Sequence, residues 1–181
     1  MDGMTAGGTE AALDWPAAIF ATLKSYGVGQ VAHVPDGGHA ALIRMVQAEP
    51  TMRSIPLTTE EEGIAVLAGA ALGGVRGAML MQSSGVGNCV NMLSLVKQCG
   101  FPFLALVTMR GEWGEFNPWQ IPMGSTTEAA FRLMDVTCQR ADQPEDVAPT
   151  VQAAARMVYE GGASAAVLLG QRLIGAKVFV K

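Results

Sequence analysis

The chain has 181 residues, with 12 Lys plus Arg against 16 Asp plus Glu and a formal net charge of −4. Half of the residues are apolar and 15% are charged, enough to fill one core of ordinary domain size and too apolar for a disordered chain. Mild acidity without a Lys/Arg cluster argues against a nucleic-acid surface or a basic membrane-binding stripe, and three scattered cysteines, Cys89, Cys99 and Cys138, exclude a disulfide framework or zinc cluster and fit a reduced cytoplasmic setting.

Residues 1–13 are small and polar, lack the basic start and apolar segment of a secretory signal, and read as a flexible tail. Residues 14–181 read as one domain. Trp15, Ile19, Leu23 and Tyr26 recur at helical spacing behind Asp14-Trp15-Pro16, and Gly27 ends that helix. A strand is predicted over 30–34, a helix over 38–48, a strand over 54–57, a helix over 60–72 and a strand over 77–81. A helix over 88–98 and a strand over 102–109 follow. Residues 111–127, rich in Pro, Gly and Trp, read as a long loop of the kind that often carries function. A helix over 128–134, a short strand over 136–139, a long amphipathic helix over 144–161 and a buried strand over 163–169 complete the chain. Residues 63–81 are the strongest membrane candidate, but Gly73-Gly74 and Arg76-Gly77 break the run into two buried soluble elements.

Strand and helix alternate about six times, which argues a single three-layer α/β/α domain with a mainly parallel, about six-stranded sheet covered on both faces. Such sheets place ligands at the carboxyl ends of their strands. Four segments leave strands with unusual chemistry and should share that edge: residues 34–38, 58–60, 82–88 and 110–112. In Thr58-Thr59-Glu60-Glu61-Glu62, a helix cap and capping box account for two of the three carboxylates without catalysis. The helix behind them has no polar face and must be buried all round, so one side meets another subunit. Glu60 shares a face with Ile64 and Leu67 and points toward that seam, where a carboxyl group holds its proton more tightly.

Glu60, followed nine residues later by Gly69 within Ala-Gly-Ala, resembles the N-terminal pyrimidine-binding domain of thiamine-diphosphate-dependent decarboxylases. Three more pieces fall in the same order. Gly27-Val28 with Val34-Pro35-Asp36 resembles the family's first strand and turn, and residues 80–88 (LMQSSGVGN) resemble the strand and Gly-rich turn after the glutamate helix. Ile121-Pro122-Met123-Gly124 resembles a loop of the sulfopyruvate and phosphonopyruvate decarboxylase branch. The family's Gly-Asp-Gly magnesium motif is absent from this chain. The resemblance therefore implies the α subunit of a two-chain 2-oxo acid decarboxylase, with thiamine diphosphate and Mg2+ held at their diphosphate end by a β subunit, and with self-association.

The same resemblance implies that Glu60 is catalytic, hydrogen-bonding the aminopyrimidine ring nitrogen of the cofactor. It makes Pro35, Gln82, Ser83, Gly85 and Asn88 cofactor contacts and Asp36 a neighbour of the small anionic 2-oxo acid substrate. An anionic tail needs a cationic or N–H partner. Arg110, leaving a strand into the Trp-containing loop, is the best-placed arginine, with a solvated loop-start residue as its plain reading. His39 and His33 read either as proton donors or anion contacts, or as structural histidines. This sequence reads His33-Val34-Pro35-Asp36-Gly37-Gly38-His39 where the branch more often has Gly before the Val and Ser after the Asp, which leaves sulfopyruvate and phosphonopyruvate both open as substrates. Trp113 and Trp119 are placed either to close over the site or to pack against the partner. No metal ligand set is expected in this chain. A non-catalytic nucleotide- or partner-binding module built on residues 85–88 is the alternative from another class.

Overall fold

In the computed structural model, which describes residues 13–175, six strands form one sheet in which every neighbouring pair is parallel. The strands are β1 (Gln30–His33), β2 (Arg53–Pro56), β3 (Gly77–Gln82), β4 (Phe103–Thr108), β5 (Thr137–Ala141) and β6 (Ser164–Leu169), in the spatial order β2-β1-β3-β4-β6-β5. The helices are α1 (Trp15–Ser25), α2 (Ala40–Ala48), α3 (Glu60–Leu72), α4 (Ser83–Cys89), α5 (Leu93–Cys99), α6 (Ile121–Leu133), α7 (Pro144–Tyr159) and α8 (Gln171–Ile174). The tail expected over residues 1–13 lies outside the described residues except for Leu13.

Side chains alternate across the sheet, so each strand feeds two cores. On one face Leu80, Leu104, Leu106 and Val167 pack with Ile19 and Leu23 of α1, Leu42 and Val46 of α2, and Val147, Val151 and Val158 of α7. On the other, Met79, Met81, Phe103, Val107 and Leu168 pack with Ile64 and Leu67 of α3, Val86 and Cys89 of α4, Leu93 of α5 and Phe131 of α6. β4 is buried along its whole length, as a central strand covered on both faces must be. Each fully buried Leu, Ile or Phe in these layers contributes about 1.5–3 kcal/mol of transfer free energy. No helix of the described residues is long and apolar enough to cross a membrane.

Three predicted segments differ, and in one the helix expected over 88–98 is interrupted by a turn at residues 90–92 so that α5 begins at Leu93. Residues 83–88, expected as a turn, are the helix α4, which starts directly from β3 with Gln82 as its extended N-cap. Tertiary packing against α3 and α6 outweighs the low helix propensity of its two glycines. The second half of the expected loop over 111–127 is also helical: a 3-10 turn at Pro118–Gln120 runs into α6, whose early Pro122 suits a first helical turn. The face of α3 that carries Ala65, Gly69 and Leu72 is exposed, with Leu72 at 78% exposure, so the single chain covers only part of this apolar helix.

Candidate active site

The chain order reverses between β1 and β3: β2 lies outside β1, and β3 returns to its other side. Crevices at such reversals, beyond the carboxyl ends of the strands, are where open α/β sheets bind ligands. Here the carboxyl end of β1 contributes Pro35 and Asp36, that of β3 contributes Gln82 and α4, and that of β4 contributes Thr108 and Arg110.

Asp36 is the polar node of this edge. Its carboxylate accepts from the Thr108 hydroxyl at 2.6 Å and from Gln82 Nε2 at 3.1 Å. Gln82 and Thr108 are register partners at the ends of adjacent strands, which brings both donors to one carboxylate. A side chain on Gly38 would meet Thr108 Cγ2 at 2.8 Å and Asp36 Oδ2 at 3.0 Å, so the bare backbone there permits the Thr108–Asp36 bond. Burial alone raises the pKa of Asp36, but the Thr108 bond, the charge of His39, the Gly38 backbone and the Gln82 bond together hold the carboxyl below its ordinary value. Gln82 Oε1 in turn accepts from Ser84 Oγ at 2.9 Å, so the amide orientation is set from both sides. Pro35 is exposed at the turn.

Glu60 opens α3 as its first residue, behind the extended N-cap Thr59. Of the three consecutive glutamates, Glu62 does the structural work: its Oε2 accepts from the Thr58 N–H at 2.8 Å. Thr59 makes no side-chain cap and Glu62 bonds the residue before it, so the expected capping box is not formed. Glu61 is exposed, while Glu60 is half-buried and turned toward α4. There Asn88 Nδ2 donates to Glu60 Oε2 at 3.1 Å. A Cβ on Gly85 would fall inside the van der Waals envelope of Glu60 Cγ, Cδ and Oε1, so only glycine lets the carboxylate lie against α4. Cys89, one turn further on, has its thiol pushed up to about 12 by burial and then by the charges of Glu60 and Glu61, and is inert at neutral pH. The edge is thus continuous: Asp36 binds Gln82, Gln82 starts α4, and α4 carries Gly85 and Asn88 against Glu60.

Four expected contacts lie elsewhere. Ser83 is fully buried, and its hydroxyl accepts the Arg110 N–H at 3.0 Å, tying the ends of β3 and β4 together; the hydroxyl is occupied within the fold rather than presented to a cofactor. His39 is 1% exposed, with Nε2 at 3.0 Å from the Leu106 carbonyl and Nδ1 without a partner. Burial lowers its pKa against the opposing charge of Asp36, and the ring lies under the edge and is not an exposed substrate contact. His33 is equally enclosed, 2.9 Å from Ser54 Oγ, and burial lowers its pKa too. Arg110 is buried and paired through two 2.7 Å bonds with Glu115, which neutralises the cation expected to face an anionic tail. Sequence reasoning missed Thr108 and Glu115. The signal for Thr108 was a lone polar residue closing the apolar run Phe103–Thr108; Glu115 sits in an aperiodic loop and gave none. Among the described residues no group of three or more His, Cys, Asp or Glu is arranged to hold a metal ion.

No family model matches the chain. It is 35% identical over 140 residues to the sulfopyruvate decarboxylase subunit alpha of Methanothermobacter thermautotrophicus, a stretch that covers 77% of this chain and 85% of that one. The chain belongs to the sulfopyruvate decarboxylase α-subunit family. Phosphonopyruvate decarboxylase of Streptomyces viridochromogenes is 37% identical over 140 residues, but the match covers only 35% of that longer protein. The likeness to the α subunits thus takes in most of both chains, whereas the likeness to the phosphonopyruvate enzyme takes in one portion of it. A solved structure, 2-oxoglutarate:ferredoxin oxidoreductase from Magnetococcus marinus, superposes with a TM-score of 0.67 over 88% of this chain and 29% of its own, at 12% identity, and shows the same fold.

Proposed function

We propose that this chain is the α subunit of a two-chain, thiamine-diphosphate-dependent enzyme that converts 3-sulfopyruvate to sulfoacetaldehyde and carbon dioxide, with Glu60 as its catalytic acid. The observation that carries the assignment of Glu60 is its environment: a half-buried carboxyl group at the sheet edge, held by the Asn88 side chain and seated against α4 at Gly85. The donor set suits an aminopyrimidine. Glu60 has acceptor and donor capacity to spare for a ring nitrogen, and the Asp36–Gln82–Thr108 cluster beside it is a polar wall whose bonds are already made.

Bound thiamine diphosphate supplies the electron sink that accepts the pair released as carbon dioxide departs. This chain's residues orient and manage protons. Glu60 holds a proton at the aminopyrimidine ring nitrogen, and Asn88 keeps its carboxyl group in place. Asp36, fixed by Thr108 and Gln82, faces the substrate from the β1 turn, with Pro35 shaping that turn. Mg2+ and the diphosphate belong to the companion β subunit, which closes the seam over the exposed face of α3. With Arg110 committed to Glu115, the cationic group for the substrate's anionic tail also comes from the companion.

Sulfopyruvate is favoured over phosphonopyruvate because the similarity runs over most of the length of the named sulfopyruvate decarboxylase α subunits and only about a third of the phosphonopyruvate enzyme. The test is reconstitution with the companion chain, followed by aldehyde detection from both 2-oxo acids with and without Mg2+. Sulfoacetaldehyde formation only by the mixed chains is the expected result. Activity on phosphonopyruvate alone overturns the substrate. Tight nucleotide binding by the isolated chain, with no decarboxylation by the mixture, favours the non-catalytic module.

A further inference from the structure

The geometry points to the exposed shelf of Trp119, Pro122 and Met123 as the anchor on which the companion subunit docks, through an apolar groove with a basic rim. This rests on the two-chain reading above and names the surface that would serve it.

The shelf is held out by a loop with almost no freedom of its own. Glu115 receives Arg110 at two points, the N–H groups of Gly111 at 3.3 Å and Asn117 at 3.0 Å, and Gln171 Nε2 at 3.0 Å. Gln171, 1% exposed, accepts the N–H groups of Glu112 at 2.8 Å and Trp113 at 3.0 Å through its Oε1. Arg140 grips the Glu112 carboxylate at 2.7 and 2.8 Å. The loop is therefore stapled to the carboxyl ends of β4, β5 and β6. Asn117 then caps the 3-10 turn, its Oδ1 accepting the Trp119 N–H at 3.1 Å.

What this framework presents is apolar: Trp119 is 84% exposed and Ile121 is 47% exposed. Together Pro118, Trp119, Pro122 and Met123 line an open hollow with little polar surface. A large aromatic fixed on a rigid support loses little entropy on burial, which is the character of an interface anchor. The shelf also adjoins the proposed catalytic group. Met123 Sδ lies 3.1 Å from where a Cβ on Gly87 would stand, and the next residue, Asn88, binds Glu60. A surface that covers Glu60 from this side comes up against Met123, which shares the hollow with Trp119.

Charge decides between a second copy and a different chain. Glu60 and Glu61 have no ion-pair partner among the described residues, Arg110 and Arg140 on the same edge are already neutralised by Glu115, Glu112 and Asp142, and the exposed Arg172 stands over the Trp113 ring at the β6 end, away from the shelf. A second copy would set carboxylates against carboxylates; a companion with Lys or Arg around an apolar groove would not.

The experiment uses the full chain and separately purified companion β chain. Trp119→Ala weakens their binding roughly 30-fold or more, with an unchanged melting temperature for this chain because the indole is outside the core. Leu133→Ala, equally superficial at the far end of α6, leaves binding unchanged. Glu61→Lys slows association several-fold at low salt. Wild-type affinity for Trp119→Ala overturns the shelf, as does loss of self-association with companion binding intact, which assigns the shelf to a second copy. Glu60→Gln separates the two proposals. If its assembled complex turns over normally, the functional reading fails whatever the shelf does. If it is inactive while Trp119→Ala assembles normally, only the shelf fails.

Discussion

Two glutamates at the same end of the sheet, Glu115 and Glu60, are treated in opposite ways. Glu115 has a 3% exposed side chain and donors from a guanidinium, two backbone N–H groups and an amide; led by the Arg110 bonds, these hold its pKa at about 2. Glu60 is half-buried, has Asn88 as its one side-chain donor among the described residues, and lies against α4 where Gly85 carries no side chain. A carboxylate whose lone pairs are all used inside the fold is a structural fastening. One that the fold brings to an edge and leaves under-satisfied has capacity for a ligand. The contrast explains why the loop after β4 is rigid and why the start of α3 is the better place to look for chemistry.

Substitution should separate the two. Glu60→Ala should lower kcat of the assembled enzyme by about 10²–10⁴-fold, the range for a lost general acid or base, while leaving the melting temperature of this chain unchanged; a large drop in stability would put Glu60 in the same class as Glu115. Glu115→Gln leaves Arg110 buried without its counter-charge, a loss of about 3–5 kcal/mol. Thermal unfolding should then fall by roughly 10 °C for a domain of this size.

That second effect carries a pH signature. The folded pKa of Glu115 is depressed, so its stabilisation is complete above its ordinary value near 4.5 and is lost as pH falls toward about 2. Urea unfolding at pH 6 and pH 3 should show the gap between wild type and Glu115→Gln narrowing at the lower pH. Gly85→Ala sharpens the comparison from the other side. The added methyl displaces only the flexible end of Glu60, so kcat should fall about tenfold, while stability holds or rises slightly because Ala suits a helix better. Asn88→Ala, which removes one hydrogen bond worth about 1 kcal/mol, should have the smallest effect, about fivefold on kcat.

The strands and α3 were legible because their signals are local. The helix over Glu60–Leu72 matches residue for residue, with an acidic start and Gly73-Gly74 at its end, and most strand limits shift by a single residue. What was not legible depends on contacts between distant segments. Residues 83–88 look like a Gly-rich turn until α3 and α6 pack on them. Arg110 looks like a free cation because nothing in the order of residues 111–117 reveals that Glu115 folds back onto it. His39, which follows the turn Pro35-Asp36-Gly37-Gly38 directly, looks like a site residue, and its burial under Asp36 follows from α2 packing on the sheet. Glu60 could be singled out because it shares a helix face with Ile64 and Leu67 and stands nine residues before Gly69, both of which are local in the sequence.

The most direct measurement is the rate at which the thiazolium C2 hydrogen of thiamine diphosphate exchanges with deuterated solvent in the assembled α–β complex, with wild-type chain and with Glu60→Gln. Exchange at least ~100-fold slower in the Glu60→Gln complex, at full cofactor occupancy, is the expected result. Equal rates in the two complexes would contradict a catalytic Glu60.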